Sequence, residues 1–440
     1  MKASDPMKKI VGLDSPTYVN TTRVARLGKV DFYLWDVLKV AASAGLNVGL
    51  YGGAGMGKSQ AFADLKSLVG NRAAYVLGRN DLDIKSLYRQ LDFGKLVQAM
   101  KEGGVVSQQE LSRVTSMLYA PLIIVEEINR AAEIVQNQLF NIYEGFIEID
   151  GKKYHLGGTH ERELVGLDGQ KRKEKFNFCI GVWSANFGNG AYTGTVSMDK
   201  ALKDRSHLII DVDNFSPGSE NPSDLDAILL GSGGEVKLKD QREPEDHTEE
   251  FVDAFAYLKQ MAKTPDPKEL GEELLMFRYL VQGLDYIPCD AAGNSKRKMK
   301  EVWPSKAEED NIGADDEVLL YRMVYPSSIR GAQAIINLSR ALRAYARAKD
   351  PKSHPTVLES IVESFKLVAS YSGLIENPQR LVEKYVGNPY RASCDAAKVI
   401  KARLDGKKDL IQAINYFKGE GKPLPKSVLD ECTGEFACWK

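Results

Sequence analysis

Cysteine is scarce in this chain and carries no pattern. The five residues Cys179, Cys289, Cys394, Cys432 and Cys438 are odd in number, widely scattered and free of any CxxC pair. That argues against a zinc ribbon, a redox dithiol or a disulfide framework. They read as free, mostly structural thiols, with Cys432 and Cys438 near Trp439 in a tail that could be exposed. Long apolar runs are also missing: no window approaches eighteen consecutive apolar residues, and the first thirty residues lack the unbroken stretch of a signal peptide. A membrane span is therefore not expected, and the cytoplasm is the expected location. Charge of one sign is lacking too. Fifty-nine basic residues stand against sixty acidic ones, so no global field favours nucleic acid or an anionic membrane. What remains is 440 residues at 43% hydrophobic content, enough for two or three domains with real cores.

Apolar periodicity organises the chain. Phe32, Leu34, Val37, Leu38, Val40 and Ala41 recur at helical spacing and predict an amphipathic helix over 31–44. A short buried strand over 47–51 follows, then a glycine loop, then a helix over 60–69. Further strand-length apolar runs at 73–77, 122–125, 178–184 and 208–212 alternate with helical or loop stretches. The pattern predicts an α/β fold with a mostly parallel sheet covered by helices on both faces. Asp150-Gly151 marks a hairpin between Phe146–Ile149 and Tyr154–Leu156, and the polar stretch 157–175 reads as its extended loop. From 251 onward the pattern is almost wholly helical, over 251–262, 272–284, 329–348 and 357–374.

The sharpest motif is Gly52-Gly53-Ala54-Gly55-Met56-Gly57-Lys58-Ser59, which fits GxxxxGK[ST]. Glycines let the backbone curl until several N–H groups point at phosphate oxygens, and side chains would block that approach. Lys58 would reach the β and γ phosphates, Ser59 would ligate magnesium, and the following helix adds its positive end. About seventy residues on, Leu122-Ile123-Ile124-Val125 ends in Glu126 and Glu127 at the ligand edge expected of an open sheet. Glu126 is the candidate to hold hydrated magnesium and Glu127 to orient or activate the attacking water. Asn186 closes another buried strand, where its amide can bond both water and phosphate. Arg205, just before the last core strand, and Arg330, which opens a helix after Pro326-Ser327-Ser328, are candidate cations for a γ phosphate. A guanidinium there is worth on the order of 10³ to 10⁵ in rate. Surface arginines would look the same in sequence.

Taken together, this order of motifs resembles AAA+ ATPases over about residues 30 to 375. The run Glu126-Glu127-Ile128-Asn129-Arg130-Ala131 is similar to the one that closes the Walker B strand in the MoxR branch. The resemblance implies a P-loop AAA+ core followed by an all-α lid. The chain's own pattern divides it into an N-terminal piece 1–30, the core 31–215, a linker 216–250, the lid 251–375 with an irregular insertion near 290–315, and a C-terminal helical appendage 376–440, and the family offers no counterpart for the insertion or the appendage. The resemblance further implies that Gly52 to Ser59 is the Walker A loop for ATP and Mg2+, that Asn186 is sensor 1, and that Arg330 is sensor 2. Arg205 would be the arginine finger offered to the nucleotide of a neighbouring subunit. Such proteins work as rings, commonly hexamers, that remodel or activate partner proteins, often ones with a von Willebrand factor A domain. The chain departs from the family at Glu126, where Asp is usual; at Gly53, where Pro is usual; and at Ser206-His207, where an aromatic residue commonly follows the finger. A nucleotide-gated scaffold with little hydrolysis, or a DNA-directed motor of the same superfamily, stays open as an alternative.

Overall fold

The computed structural model describes residues 5–15, 17–102, 112–166, 169–186, 198, 200–232, 244–264, 266–287, 296–297, 324–375 and 378–440. The insertion expected near 290–315 lies outside these residues, apart from the two-residue strand Lys296–Arg297.

Five strands, β1 (Val48–Gly52), β2 (Ala73–Leu77), β3 (Leu122–Glu126), β4 (Ile180–Asn186) and β5 (Leu208–Asp211), form one parallel sheet in the order β5-β1-β4-β3-β2. The inner strands are covered on both faces, which is why they read as near-continuous apolar runs instead of alternating ones. Alternate residues still go to opposite layers. Leu50, Ile124, Val182 and Ile210 pack in one core with Leu38, Phe62 and Leu65 of the helices Leu34–Ser43 and Lys58–Ser67. Ile123, Val125, Trp183 and Ile209 pack in the other with Leu139 and Ile142 of the helix Glu133–Tyr143 and Leu202 of the helix Lys200–Arg205. Trp183 is the largest side chain in that second layer, and its indole donates to Ser206 Oγ at 2.7 Å. The ring lies flat on Gly49: a Cβ there would fall 2.1 Å from Trp183 Cζ2.

The C-terminal region is helical, as expected, with Thr248–Lys263, Pro267–Val281, Ile329–Lys349 and Val357–Ala369 its main members. Local chemistry sets their ends. The Ser328 hydroxyl accepts from Gly331 N at 3.0 Å, and Thr356 with Glu359 forms a reciprocal capping box; each such cap is worth about 1 kcal/mol. Arg343, fully buried on the longest of the described helices, is held by Glu273 at 2.6 Å. None of the described helices is long and apolar enough to cross a membrane.

Several expectations need correction. The helix expected from residue 31 begins at Leu34, because Val30–Tyr33 pairs with Arg23–Leu27 as a hairpin. The stretch 157–175 is no loop: Gly158–Val165 and Lys171–Phe178 form a long antiparallel hairpin. Its outer face is charged, with Glu161 against Lys173 at 3.0 Å and Glu163 against Lys171 at 3.5 Å. Those pairs hid the inner face, on which Leu164, Phe176 and Phe178 are buried. Phe178 thus closes this hairpin and does not open β4. The span 216–250 contains a helix, Ser223–Ser232. The tail is not exposed: Cys432, Cys438 and Trp439 are buried, and the Trp439 indole donates to Leu275 O at 3.0 Å.

Candidate functional site

Because the sheet is parallel, the carboxyl ends of β1, β3, β4 and β5 all meet at one edge, and the chemistry collects there. The loop after β1 bends through Gly52 (φ 147), Gly55 (φ 80) and Gly57 (φ 77), backbone that L side chains rarely adopt. The helix Lys58–Ser67 then starts directly after the loop, with Gly57 at its N-cap and no side-chain cap. Lys58 is buried, and its ammonium donates to Gly52 O at 2.9 Å and Gly53 O at 2.6 Å. Among the described residues no carboxylate comes within salt-bridge distance of it. Burial pulls the Lys58 pKa down, while Asp213, Glu127 and Asp211 at longer range hold it up. A buried cation satisfied only by neutral carbonyls has charge left over for an anion.

Across the edge, Tyr75 donates to Glu126 Oε2 at 3.1 Å. Burial first, then the Glu126 and Glu127 charges, push that phenol up to about 12. Glu127 has left-handed backbone (φ 52), a strained placement for a residue with a Cβ. Its N–H donates to Ser184 Oγ at 3.2 Å, and its carboxylate meets Arg130 Nε at 3.0 Å and Asn186 Nδ2 at 3.4 Å. Gly78 makes room for the turn, since a Cβ there would lie 2.2 Å from Glu127 O. The sequence-based trio of Glu126, Glu127 and Asn186 is thus gathered beside the loop by the β3 and β4 pairing. Ser59 is half-buried in the first turn of the loop helix.

Two further contributors were not foreseen. The short turn Val212–Phe215 after β5 lies on the loop: Gly53 N donates to both Asp213 carboxylate oxygens at 3.0 Å. The N-terminal strap lies on it too. Thr17 N and Tyr18 N donate to Asp64 Oδ2 at 3.0 and 2.8 Å, and the Tyr18 ring stands so close that a Cβ on Gly57 would be 2.9 Å away. Neither carries a sequence signal, because both depend on chain segments that meet only after folding.

The arginines lie elsewhere. Asn47 and His207 mark the opposite, amino edge of β1 and β5, and Asn47 Nδ2 donates to Arg205 O at 3.1 Å. Arg205 Nε and one Arg330 nitrogen both meet Glu144 Oε1 at 2.9 Å, and Arg330 also meets Asp204 at 2.7 Å. A polar cavity of about 560 Å³ is lined by Arg205, Arg330, Glu144, Asn47 and His207, among others. The length of β1, roughly 15 Å, separates this cluster from the phosphate loop of the same chain. The fold therefore brings Arg205 and Arg330 together and keeps both away from Lys58.

The glycine curve, the under-compensated Lys58 ammonium and the helix N-terminus fit a nucleoside polyphosphate. A family comparison agrees with this chemistry. Residues 47–205 match the model of the AAA domain, dynein-related subfamily, a span that runs from the amino end of β1 to Arg205. No curated protein matches the chain significantly. Among solved structures, one described as "a putative ATPase" from Cytophaga hutchinsonii is similar at 14% identity over 78% of this chain and 82% of that one, with a TM-score of 0.48. The family match supports an AAA+ ATPase with a nucleotide-binding domain.

Proposed function

We propose that this chain is a MoxR-like AAA+ ATPase that assembles into a ring, hexameric in the family pattern, and couples ATP binding and hydrolysis to the remodelling of a partner protein. Lys58 and the amides of the Gly52 to Ser59 loop, apart from the Gly53 amide that Asp213 takes, hold the triphosphate. Ser59 and Glu126 hold the magnesium, which neutralises phosphate charge and fixes its geometry. Glu127, with Asn186 beside it, orients the attacking water. Arg205 and Arg330 act on the nucleotide of the next subunit.

The observation that carries the reading is the placement of the arginines and the phosphate loop at opposite edges of one sheet. A guanidinium at the amino edge cannot reach the phosphates of its own chain across about 15 Å of strand. Head-to-tail packing, in which the amino edge of one copy faces the carboxyl edge of the next, completes each site and closes on itself as a ring. The test is complementation. Arg205→Ala and Glu127→Gln subunits are each inactive alone, and mixing them restores phosphate release at interfaces that pair one intact half from each. Turnover per subunit should also rise with protein concentration. Turnover independent of concentration, with no recovery on mixing, would refute action in trans.

A second reading, a nucleotide-gated scaffold with little turnover, draws support from Glu126. Its side chain is one methylene longer than the family's Asp, and Tyr75 pins it. Purified protein that assembles with ATP and magnesium yet releases no phosphate would favour it.

A further inference from the structure

We propose that Asp213 is a positioning residue for the phosphate loop, holding it through the Gly53 N–H and tying it to the C-terminal helices. The inference rests on the nucleotide-binding reading above for its functional consequence, though not for its structural one. Both Asp213 carboxylate oxygens lie 3.0 Å from Gly53 N, so the donor is shared between them. The turn that carries Asp213 is itself ordered, with Asp213 N donating to Asp211 Oδ1 at 3.0 Å. It also sits hard against the loop: a Cβ on Gly52 would lie 2.7 Å from Val212 Cγ2 and 3.0 Å from Asp213 Oδ1.

Asp211, Asn214 and Phe215 face the other way. Asp211 Oδ2 accepts from the Tyr371 hydroxyl at 2.9 Å, Asn214 Oδ1 accepts from Asn388 Nδ2 at 2.6 Å, and the Phe215 and Tyr390 rings meet edge to face at 4.9 Å. Every residue from Asp211 to Phe215 thus touches either the phosphate loop or the helical region. Gly53 is the reason such a hold is needed. A glycine leaves φ unrestricted and so leaves the loop's first bend loose, but it also keeps an N–H for a carboxylate to take. Asp213 supplies from outside a restraint that this backbone does not supply from within.

The test is a double-mutant cycle on the full chain, read by calorimetric titration with ATP and magnesium and by amide hydrogen exchange of the nucleotide-free protein. Asp213→Ala should weaken ATP binding about threefold to tenfold, the worth of one hydrogen bond to an exposed carboxylate, and should speed exchange of the Gly53 amide. Gly53→Ala keeps the N–H and has room, with its Cβ 3.5 Å from Asp213 Oδ1, so Asp213→Ala should cost as much in that background as in wild type. Gly53→Pro removes the N–H, and there Asp213→Ala should cost nothing more. Equal losses in the Gly53→Pro and wild-type backgrounds, or unchanged Gly53 exchange in Asp213→Ala, would overturn the proposal. Should Asp213→Ala not fold, Asp213→Asn, with one good acceptor left, carries the same comparison at a smaller effect. If wild-type protein took up no ATP, the proposed function would fail, while the exchange data would still decide the role of Asp213.

Discussion

Acid should destabilise this protein through one histidine. His207 sits at the amino edge of β5 with left-handed backbone (φ 48), and its Nδ1 accepts from Asn47 N at 3.0 Å. Nδ1 must therefore be unprotonated in the folded chain. Burial, then the Arg330 charge, lowers its pKa from 6.5 to about 4, against a smaller opposing pull from Asp204. Between those two values the unfolded chain holds one proton more than the folded chain, so stability rises with pH across the window. The contribution is fully present above pH 6.5 and is lost as pH falls toward 4. At 1.36 kcal/mol per unit the full difference is at most about 3 kcal/mol, and partial exposure of the ring brings the working figure nearer 1–2 kcal/mol. That corresponds to a few degrees of melting temperature for a core domain of this size. The control is His207→Asn, which tolerates left-handed backbone and does not titrate. Melting of both proteins at steps from pH 7.5 to 4.5 should show wild type losing ground to the variant below pH 6.5. A constant gap across that range would mean that His207 is protonated without cost, and the reasoning from its buried acceptor would fail.

Three other outcomes follow from packing and charge. Gly49→Ala should cost about 3 kcal/mol or more, because its Cβ overlaps the Trp183 ring at 2.1 Å; unchanged melting would contradict the described layer. Glu144→Ala removes the oxygen shared by Arg205 and Arg330, at about 0.5–1 kcal/mol per half-exposed pair, and its loss combined with Arg330→Ala should be clearly less than the sum of the two, whereas additive losses would deny the shared contact. Glu126→Asp shortens the carboxylate away from the Tyr75 hydroxyl and should raise phosphate release severalfold, so a slower variant would show that the longer side chain suits this site.

The phosphate loop and the Glu126-Glu127 pair were legible because their chemistry forces particular residue types into consecutive positions. Glycines must precede Lys58, and acids must end an apolar strand. Asn186 was legible only in company with those two motifs, as the end of another apolar strand, and the structure sets that strand, β4, between β1 and β3. Asp213 was not legible: it meets Gly53 across 160 residues of chain, and a lone Asp after a strand says nothing in sequence. Glu144 has the same difficulty, standing just past a helix end and gaining meaning only from two arginines that arrive from distant segments. Tyr18 lies in the N-terminal piece, for which the sequence suggested no role, and Asp64 holds its strap. The hairpin 158–178 failed for another reason. Its charged pairs made a two-stranded ribbon look like a solvated loop, because the period-two signal was carried by only a few buried residues.

The same strands that separate the two edges also join them. β1 runs from Asn47, which holds the Arg205 carbonyl and the His207 ring, to Gly52, whose carbonyl takes the Lys58 ammonium. β5 runs beside it from His207 to the Asp211–Phe215 turn, which grips both the loop and the helices. Packed parallel strands are stiff along their length, so a shift at one end has few ways to dissipate before it reaches the other. In the proposed ring, a load on Arg205 has a short route to Lys58 through the Asn47 hydrogen bond and β1, and a covalent one along β5 to Asp213, whose turn meets Tyr371 and Tyr390. This route predicts that Asn47→Ala, a change at the amino edge and away from the phosphate loop, alters ATP affinity. If Asn47→Ala lowered stability alone and left nucleotide binding untouched, the two edges would be independent and the stiffness of β1 would carry no signal.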